Sequence, residues 1–557
     1  MRLLSGKSSE DLLIRTEGDI LSCRSKPLSD LVIKADMFSD YIDEAIPEDD
    51  YLKDLDNKRT MFMKLPADRQ ITDESNFDNL KDAIIDYLNN NGCDIQDIGI
   101  DILRKASFFE GNKMSSYLIY DKKTVLDIID PCRKIYCLSI DAGTTNCTVS
   151  LIDAENLKVV SSEHFINPQR IYGQDVISRI IECEKRNNTR DLSLILINRI
   201  NESIRMQSEK NSISNEDIYA AGISANPAMI HILLGLNPSG IRKYPYRQVV
   251  SEITNLNAKT AGLIINENAI LVIPPSAGAF VGSYIISGLA FLKDKQEPYM
   301  LVDLGTNGEL AVKFQGKYFC VSTSAGPAFE GGMITFGLNA VKGAIYKIDM
   351  NCGIVKYTTI GYEKPLGICS SGIMDIIYLL YVEKIINKDG SFSPDYDGDY
   401  KDRLKNDYFI IEYAENTGIE RDIVITQSDI KNFIYAKAAI FAGIVFLCKK
   451  LDIEPENIMN FYISGNFAGS YNVERAKSIG LFPFIENNRI IMSQNTSLKG
   501  TGLILVSKEH RDFIKKIKDD IFSFNLCEES EYGPLYTASM FIPHTDEKYL
   551  KKENNDE

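Results

Sequence analysis

Two segments of the chain end an apolar run in an aspartate and follow it with glycine and threonine: CLSIDAGTTNCTVSLID (137–153) and MLVDLGTNGELAVKF (300–314). A strand that ends in Asp delivers its carboxylate to the carboxyl edge of a sheet, where α/β folds bind ligands. That places Asp141 and Asp303 as the candidate chemical groups. Gly143 and Gly305 let the backbone approach a phosphate with no Cβ in the way. Thr144, Thr145, Thr306 and Asn307 then offer hydroxyl, amide and backbone N–H donors to phosphate oxygens. Two carboxylates facing each other across a cleft hold Mg²⁺ through its waters. One such turn alone is an ordinary strand turn. A pair a domain's length apart predicts two similar halves clamping a nucleoside triphosphate.

A third element follows in order. NIMNFYISGNFAGSYNVERAKSIGLFP (457–483) is an apolar strand, a Ser464-Gly465-Asn466 turn and a helix. Small residues at Gly465 and Asn466 would let an adenosine lie on the backbone. Other nucleotide grammars are excluded. No G-x-G-x-x-G follows an early strand, and Gly6-Lys7-Ser8 lacks both the first glycine and the strand of a Walker A loop.

The elements that must position these turns fit a chain of 557 residues, enough for about three domains. With 44% hydrophobic residues it fills several cores. The net charge of −16 and the lack of a basic patch argue against nucleic acid as a partner. The 11 cysteines are scattered with no C-x-x-C, which fits reduced thiols in a cytoplasmic protein. Ala269–Leu292 is uncharged and apolar, but Pro274-Pro275 near its start breaks a spanning helix, so it reads as strand, loop and helix, with no membrane segment. The expected organisation is a β-rich piece at 1–40, an acidic linker at 41–75 and a small α+β middle domain at 76–134. Two core halves follow at 135–300 and 301–512, and then a C-terminal extension at 513–557 whose last fifteen residues fray. NFDNLKDAIIDYLNNNG reads as a helix, YLIYDKKTVLDII as a strand hairpin, and 387–407 as a surface insertion.

The order of these motifs resembles the acetate and sugar kinase, heat-shock ATPase and actin superfamily. Within it, the chain resembles the ATP-dependent reductive activators of corrinoid proteins. INPQRIYGQDVISRI (166–180), AAGISANPAMIHILLGLNPSGIR (220–242), STSAGPAFEGGMITFGLNAVKGAI (322–345), LGICSSGIMDII (366–377), ISGNFAGSYNVERAKSIGL (463–481) and NTSLKGTGLIL (495–505) carry the match, with the two phosphate turns. The resemblance implies a duplicated ribonuclease-H-like α/β core that binds ATP and Mg²⁺. It implies uphill reduction of cob(II)alamin to cob(I)alamin on a separate corrinoid protein or cobalamin-dependent methyltransferase. By position it assigns Asp141, Asp303 and Glu330 to catalysis. Gly326, Gly331 and Gly332 join Gly143, Thr144, Thr145, Gly305, Thr306, Asn307, Gly465 and Asn466 at the cofactor, and the chain is expected to form a homodimer.

Two positions depart from the family. Its members begin with a [2Fe–2S] ferredoxin domain held by four Cys. Here residues 5–35 resemble the second half of such a domain: Cys23 matches one ligand, while Ser5 and Ser8 stand where Cys is expected. One thiolate cannot hold a cluster, so the remnant is expected to be degenerate, the cluster absent, and electrons to come from an external ferredoxin or flavodoxin. Val281-Gly282-Ser283 lacks the Asp that many relatives carry after the glycine. Two further readings stay open: a non-redox ATP-dependent chaperone or regulator of the same partners, and a small-molecule kinase using Asp303 or Glu309 as base. His231 reads as a packed histidine, Cys369 as a buried small residue and Lys437 as a snorkelling surface lysine.

Overall fold

The computed structural model describes residues 51–53, 55, 60–67, 77–108, 115–186, 189–465 and 472–550, with the backbone of two short strands, Arg2–Ser5 and Val32–Lys34. Those two strands pair antiparallel. The rest of the expected N-terminal remnant, including Ser8 and Cys23, and Asn466 lie outside the described residues.

Phe62–Pro66, inside the stretch read as linker, is instead the edge strand of a three-stranded antiparallel sheet with Ser116–Tyr120 and Thr124–Ile129. Its FMKLP alternation was masked by the acidic residues before it. Helix Leu80–Asn90 starts at Asn79, whose side chain accepts from the Asp82 N–H. With Ile100–Ser107 it covers one face of the sheet through Ile84, Leu88, Ile102, Tyr117 and Ile119. The sheet is tied to the core by Tyr219, whose hydroxyl donates to buried Asp127 at 3.0 Å, and by Tyr120, which donates to the Leu505 carbonyl at 3.1 Å.

The core holds two six-stranded sheets of matching topology. In the first, Tyr136–Ala142 is central. Asn146–Asp153 and Lys158–Ile166 form an antiparallel meander on one side; Ile218–Ser224 and then Ile270–Ile273 run parallel on the other. In the second, Tyr299–Leu304 is central, flanked by the meander Gly308–Phe314 and Lys317–Thr323 and by parallel Asn460–Ser464 and Ile490–Met492. Each sheet gains one extra edge strand, Ile253–Asn257 or Ile521–Phe524. Buried central strands read as continuous apolar runs because both faces are covered. This is the duplicated α/β core expected from the sequence repeat.

Helices Ser283–Phe291 and Thr496–Val506 meet between the halves. A Cβ on Gly500 would lie 1.7 Å from the Ser287 carbonyl, so the backbones are in contact there. Thr501 donates to Ser287 at 3.0 Å across the same seam. Ala269–Leu292 forms the strand, loop and helix its prolines predicted. Among the described residues one helix, Gln427–Lys450, is long and apolar enough to cross a membrane, but 83% of its apolar window is buried inside the fold. It opens with a Thr426–Asp429 capping box and is the centre of the second half's core.

Two surface readings are corrected. Lys437 is 0% exposed, because that helix is apolar all round rather than amphipathic. Its Nζ donates to the Phe541 carbonyl and, at 2.7 Å, to that of Pro543. Consequently residues 543–550 of the stretch expected to fray are held: His544 stacks on Phe441 with centroids 4.6 Å apart, and Tyr549 is buried beside both, while residues 551–557 lie outside the described residues. The 387–407 insertion is likewise pinned by Tyr400, which packs into the core. His231 is a packed histidine, its Nδ1 against the Pro227 carbonyl at 2.6 Å and its Nε2 accepting from the Val249 N–H at 2.8 Å.

Candidate functional site

The central strand of each sheet carries its aspartate to the edge facing the other half. Asp141 stands in register with Thr148 on one neighbour and Ser224 on the other. Asp303 stands in register with Glu309 and Ser464. The first residues of helix Thr496–Val506 knit the two positions together. Thr496 donates to the Ser464 hydroxyl at 2.9 Å, while Ser497 bonds Ser224 at 2.7 Å and donates to Asp141 at 3.3 Å. Between the halves opens a cleft lined by Asp141, Gly143, Thr144, Asp303, Gly305, Thr306, Asn307, Glu309, Glu330 and Gly465, with Asn146, Asn226, Tyr284 and Asn495.

The first loop is shaped from behind. A Cβ on Gly143 would sit 2.3 Å from the Asn146 carbonyl oxygen. The Gly143 carbonyl accepts from Asn167 at 2.8 Å, and the Thr144 hydroxyl from Asn226 at 3.0 Å. The Thr144 carbonyl accepts from Arg179 at 2.6 Å, a guanidinium fully buried beneath the loop. In the second loop the Gly305 N–H donates to the Asn307 carbonyl at 3.0 Å. Gly465, at φ +119°, presses on it so closely that a Cβ would lie 2.2 Å from the Leu304 carbonyl. Thr145 and Thr306 meet at 3.0 Å between their hydroxyls, and both donate to Glu330, at 2.9 and 2.6 Å.

Thr145, Gly326, Gly331 and Gly332, expected at the cofactor, are not among the cleft-lining residues. Gly326 and Gly331 adopt φ of +73° and +76° on either side of the 3₁₀ turn Pro327–Glu330, and Gly332 packs on Pro327, so together they shape the turn that presents Glu330. Sequence reasoning missed Arg179, Asn226, Tyr284 and Asn495, each brought in from a distant segment. Glu309, offered by the sequence only as a base in the kinase reading, is buried. The legible signal was its register: two residues into the second strand of the repeat, it faces Asp303.

Residues 136–296 match the RACo middle region, and residues 297–554 match the C-terminal ASKHA domain of RACo. A solved structure, a reductive activator for corrinoid, iron–sulfur protein, superposes with a TM-score of 0.80 at 28% identity, covering 99% of this chain and 92% of that one. A corrinoid activation enzyme, RamQ, from Eubacterium limosum is 32% identical over 444 residues, 77% of this chain and 74% of its own length. The chain belongs to the corrinoid activation enzyme family. A second relative, the [Co(II) methylated amine-specific corrinoid protein] reductase of Methanosarcina barkeri, is 26% identical over 320 residues, 49% of this chain and 54% of its own.

In this corrinoid activation enzyme family member the cleft is an acidic enclosure. Burial pushes Asp141 up to about 6, countered by Asn495 and Ser497 and reinforced by the Glu330 charge. Burial, with the charges of Glu309, Asp141 and Glu330, holds Asp303 well above the usual carboxylate range. Burial pushes Glu309 up to about 7 against hydrogen bonds from Tyr284, Ser322 and Asn307. Glu330 is raised by burial too, with Thr306, Thr145 and Asn146 opposing. Asp141 and Asp303 each show some surface to the cleft while their surroundings are desolvated. Carboxylates crowded this way favour protonation or a cation. Asn495 holds a left-handed backbone, φ +39°, rare for a residue with a side chain. Its buried Nδ2 lies near enough to Asp141 to favour the carboxylate but makes no well-formed hydrogen bond among the described residues. A polar ligand in the cleft would complete it.

Proposed function

We propose that this chain binds MgATP between its two halves and uses it to support reduction of cob(II)alamin to cob(I)alamin on a separate corrinoid protein, which then accepts a methyl group in a cobalamin-dependent methyl transfer. One observation carries the nucleotide half of this reading: the duplicated sheets deliver Asp141 and Asp303, each with its glycine–threonine loop, to one cleft. Family membership and the names of its relatives support the corrinoid half.

The roles follow from the donors present. Hydroxyls and backbone N–H groups of the 143–146 and 305–307 loops take phosphate oxygens. Gly465 offers bare backbone to the adenosine end. Asp141 and Asp303 are hard oxygen donors suited to Mg²⁺, which when bound neutralises phosphate charge. Among the described residues no three acidic, His or Cys side chains converge as direct ligands, so the aspartates would act through the ion's waters. The helix pair Ser283–Phe291 and Thr496–Val506 is the seam about which the halves turn when the cleft closes.

The cysteines among the described residues do not fit an iron–sulfur cluster. Cys137, Cys147, Cys320 and Cys448 are buried with their thiols pushed up by burial, and among the described residues no metal-binding group is formed. In this reading the electrons come from a separate ferredoxin or flavodoxin, and the chain works in the cytoplasm, as a homodimer. Buried Glu309 beside Asp303 favours one second reading, in which the cleft transfers the phosphoryl group to a small molecule with Glu309 as base. Titration of the purified chain with MgATP, followed by ATP turnover with and without a corrinoid protein, separates them. Turnover stimulated by the corrinoid protein supports activation; turnover stimulated only by a metabolite supports the kinase.

A further inference from the structure

We infer that Glu330 is the residue by which this site tells a nucleoside triphosphate from a diphosphate: its carboxylate holds the hydroxyls of Thr145 and Thr306, and a terminal phosphoryl group gains those donors only by displacing it. This rests on the nucleotide-binding reading above.

The geometry is a three-residue bridge between the halves. Thr145 belongs to the first phosphate loop and Thr306 to the second; both donate to the same Oε2 of Glu330, at 2.9 and 2.6 Å. A threonine hydroxyl has one proton. With both protons committed to Glu330, neither side chain has one left for a phosphoryl oxygen. A phosphoryl group and a carboxylate sharing that space also repel, more strongly here than in water. Buried Arg179 beneath Thr144 attracts either anion and does not remove the competition.

Glu330 stands on a short turn between fixed neighbours. It ends a single 3₁₀ turn, Pro327–Glu330, with positive-φ glycines at both ends, Gly326 and Gly331. The neighbouring Phe329 is fixed: its carbonyl accepts from Ser370 at the start of helix Ser370–Val382, and its ring meets Phe433 edge-on at 5.5 Å. Past the turn, Met333 stands 66% exposed, its carbonyl held by Asn432 at 2.8 Å. Release of Glu330 therefore frees the two loops from each other. A diphosphate, lacking the third phosphoryl group, leaves the bridge in place.

The test uses the full chain as wild type, Glu330→Gln, Glu330→Asp and Thr306→Val. Hydrogen exchange of the 143–147 and 304–307 amides is read without nucleotide. Affinities for MgADP and for a non-hydrolysable Mg-ATP analogue are read by calorimetry. Glu330→Gln should speed exchange in both loops and tighten the analogue roughly tenfold relative to ADP, the size expected when a competing charge is removed. Glu330→Asp should fall between, and Thr306→Val should speed exchange in the first loop as well as its own. An unchanged analogue-to-ADP ratio in Glu330→Gln, or loop exchange equal to wild type, overturns the proposal. So does a fall in turnover with both affinities unchanged, which would make Glu330 a purely catalytic group. Wild-type protein that binds neither nucleotide would instead overturn the nucleotide-binding reading itself, and the proposal with it.

Discussion

Asp303 lies directly across the antiparallel ladder from Glu309, where in the first half Asp141 faces Thr148. The next strand continues the contrast: Glu309 accepts from Ser322 at 3.1 Å, and Thr148 bonds His164 at 2.8 Å. The duplication is thus symmetric in backbone and asymmetric in charge. The second half carries two facing carboxylates where the first carries one, so the acidic groups of the cleft are concentrated on that side.

Glu309 gives this asymmetry a measurable sign. Its carboxyl is raised from 4.5 to about 7 in the folded chain. Between those values the folded state holds a proton that the unfolded state has released, so stability falls as pH rises through the window. Glu309→Gln removes the buried charge. The variant should match wild type near pH 5 and exceed it at pH 8 by on the order of 3 kcal/mol, the worth of that shift. Denaturant unfolding at the two pH values checks it; parallel stability–pH curves for the two proteins would contradict the burial of a charged Glu309.

Much of this site was legible in sequence, and the reason is local. An apolar run ending in Asp-x-Gly-Thr encodes strand, edge and turn within ten residues, and its repetition encodes the duplicated sheets. What the sequence hid depends on contacts between distant segments. Arg179 reaches Thr144 from a helix beyond the meander, and Asn495 reaches Asp141 from more than 350 residues away. The burial of Glu309 was hidden because strand alternation alone does not say that both faces of this sheet are covered. Lys437 looked amphipathic because its partners, two carbonyls near the C-terminus, leave no pattern in its own helix.

The two loop glycines should separate fold from binding. Gly143→Ala forces a Cβ to within 2.3 Å of the Asn146 carbonyl, so the loop must shift, at a cost of about 1–3 kcal/mol. A Cβ on Gly305 meets only the Asn307 oxygen, at 3.7 Å, and otherwise open space. Gly143→Ala should lower Tm and weaken MgATP binding together. Gly305→Ala should weaken binding with Tm unchanged, since its Cβ stands on the cleft lining. Calorimetry and thermal melts read both; equal losses of Tm in the two variants would contradict the loop geometry.

Lys437 should act as the anchor of the C-terminal segment. Lys437→Met leaves the Phe541 and Pro543 carbonyls unpaired, about 1–3 kcal/mol each, while removing a buried ammonium that burial pushes down to about 7. The opposing terms leave global stability nearly unchanged at neutral pH. Locally, the Phe484 N–H, bonded to the Tyr549 carbonyl, should exchange at least about tenfold faster as the segment lifts. Unaltered protection there would show that His544 and Tyr549 hold the segment without the lysine.

The most direct measurement follows the cobalt spectrum of a purified corrinoid protein in the cob(II)alamin state. It is mixed anaerobically with this chain, a low-potential ferredoxin or flavodoxin and its reductant, with and without MgATP. Wild-type protein should convert cob(II)alamin to cob(I)alamin only when MgATP is present, and Asp303→Asn, with its fold intact by circular dichroism, should not. Conversion that proceeds equally without ATP, or fails with wild type that demonstrably binds both MgATP and the corrinoid protein, would contradict an ATP-driven reductive activator.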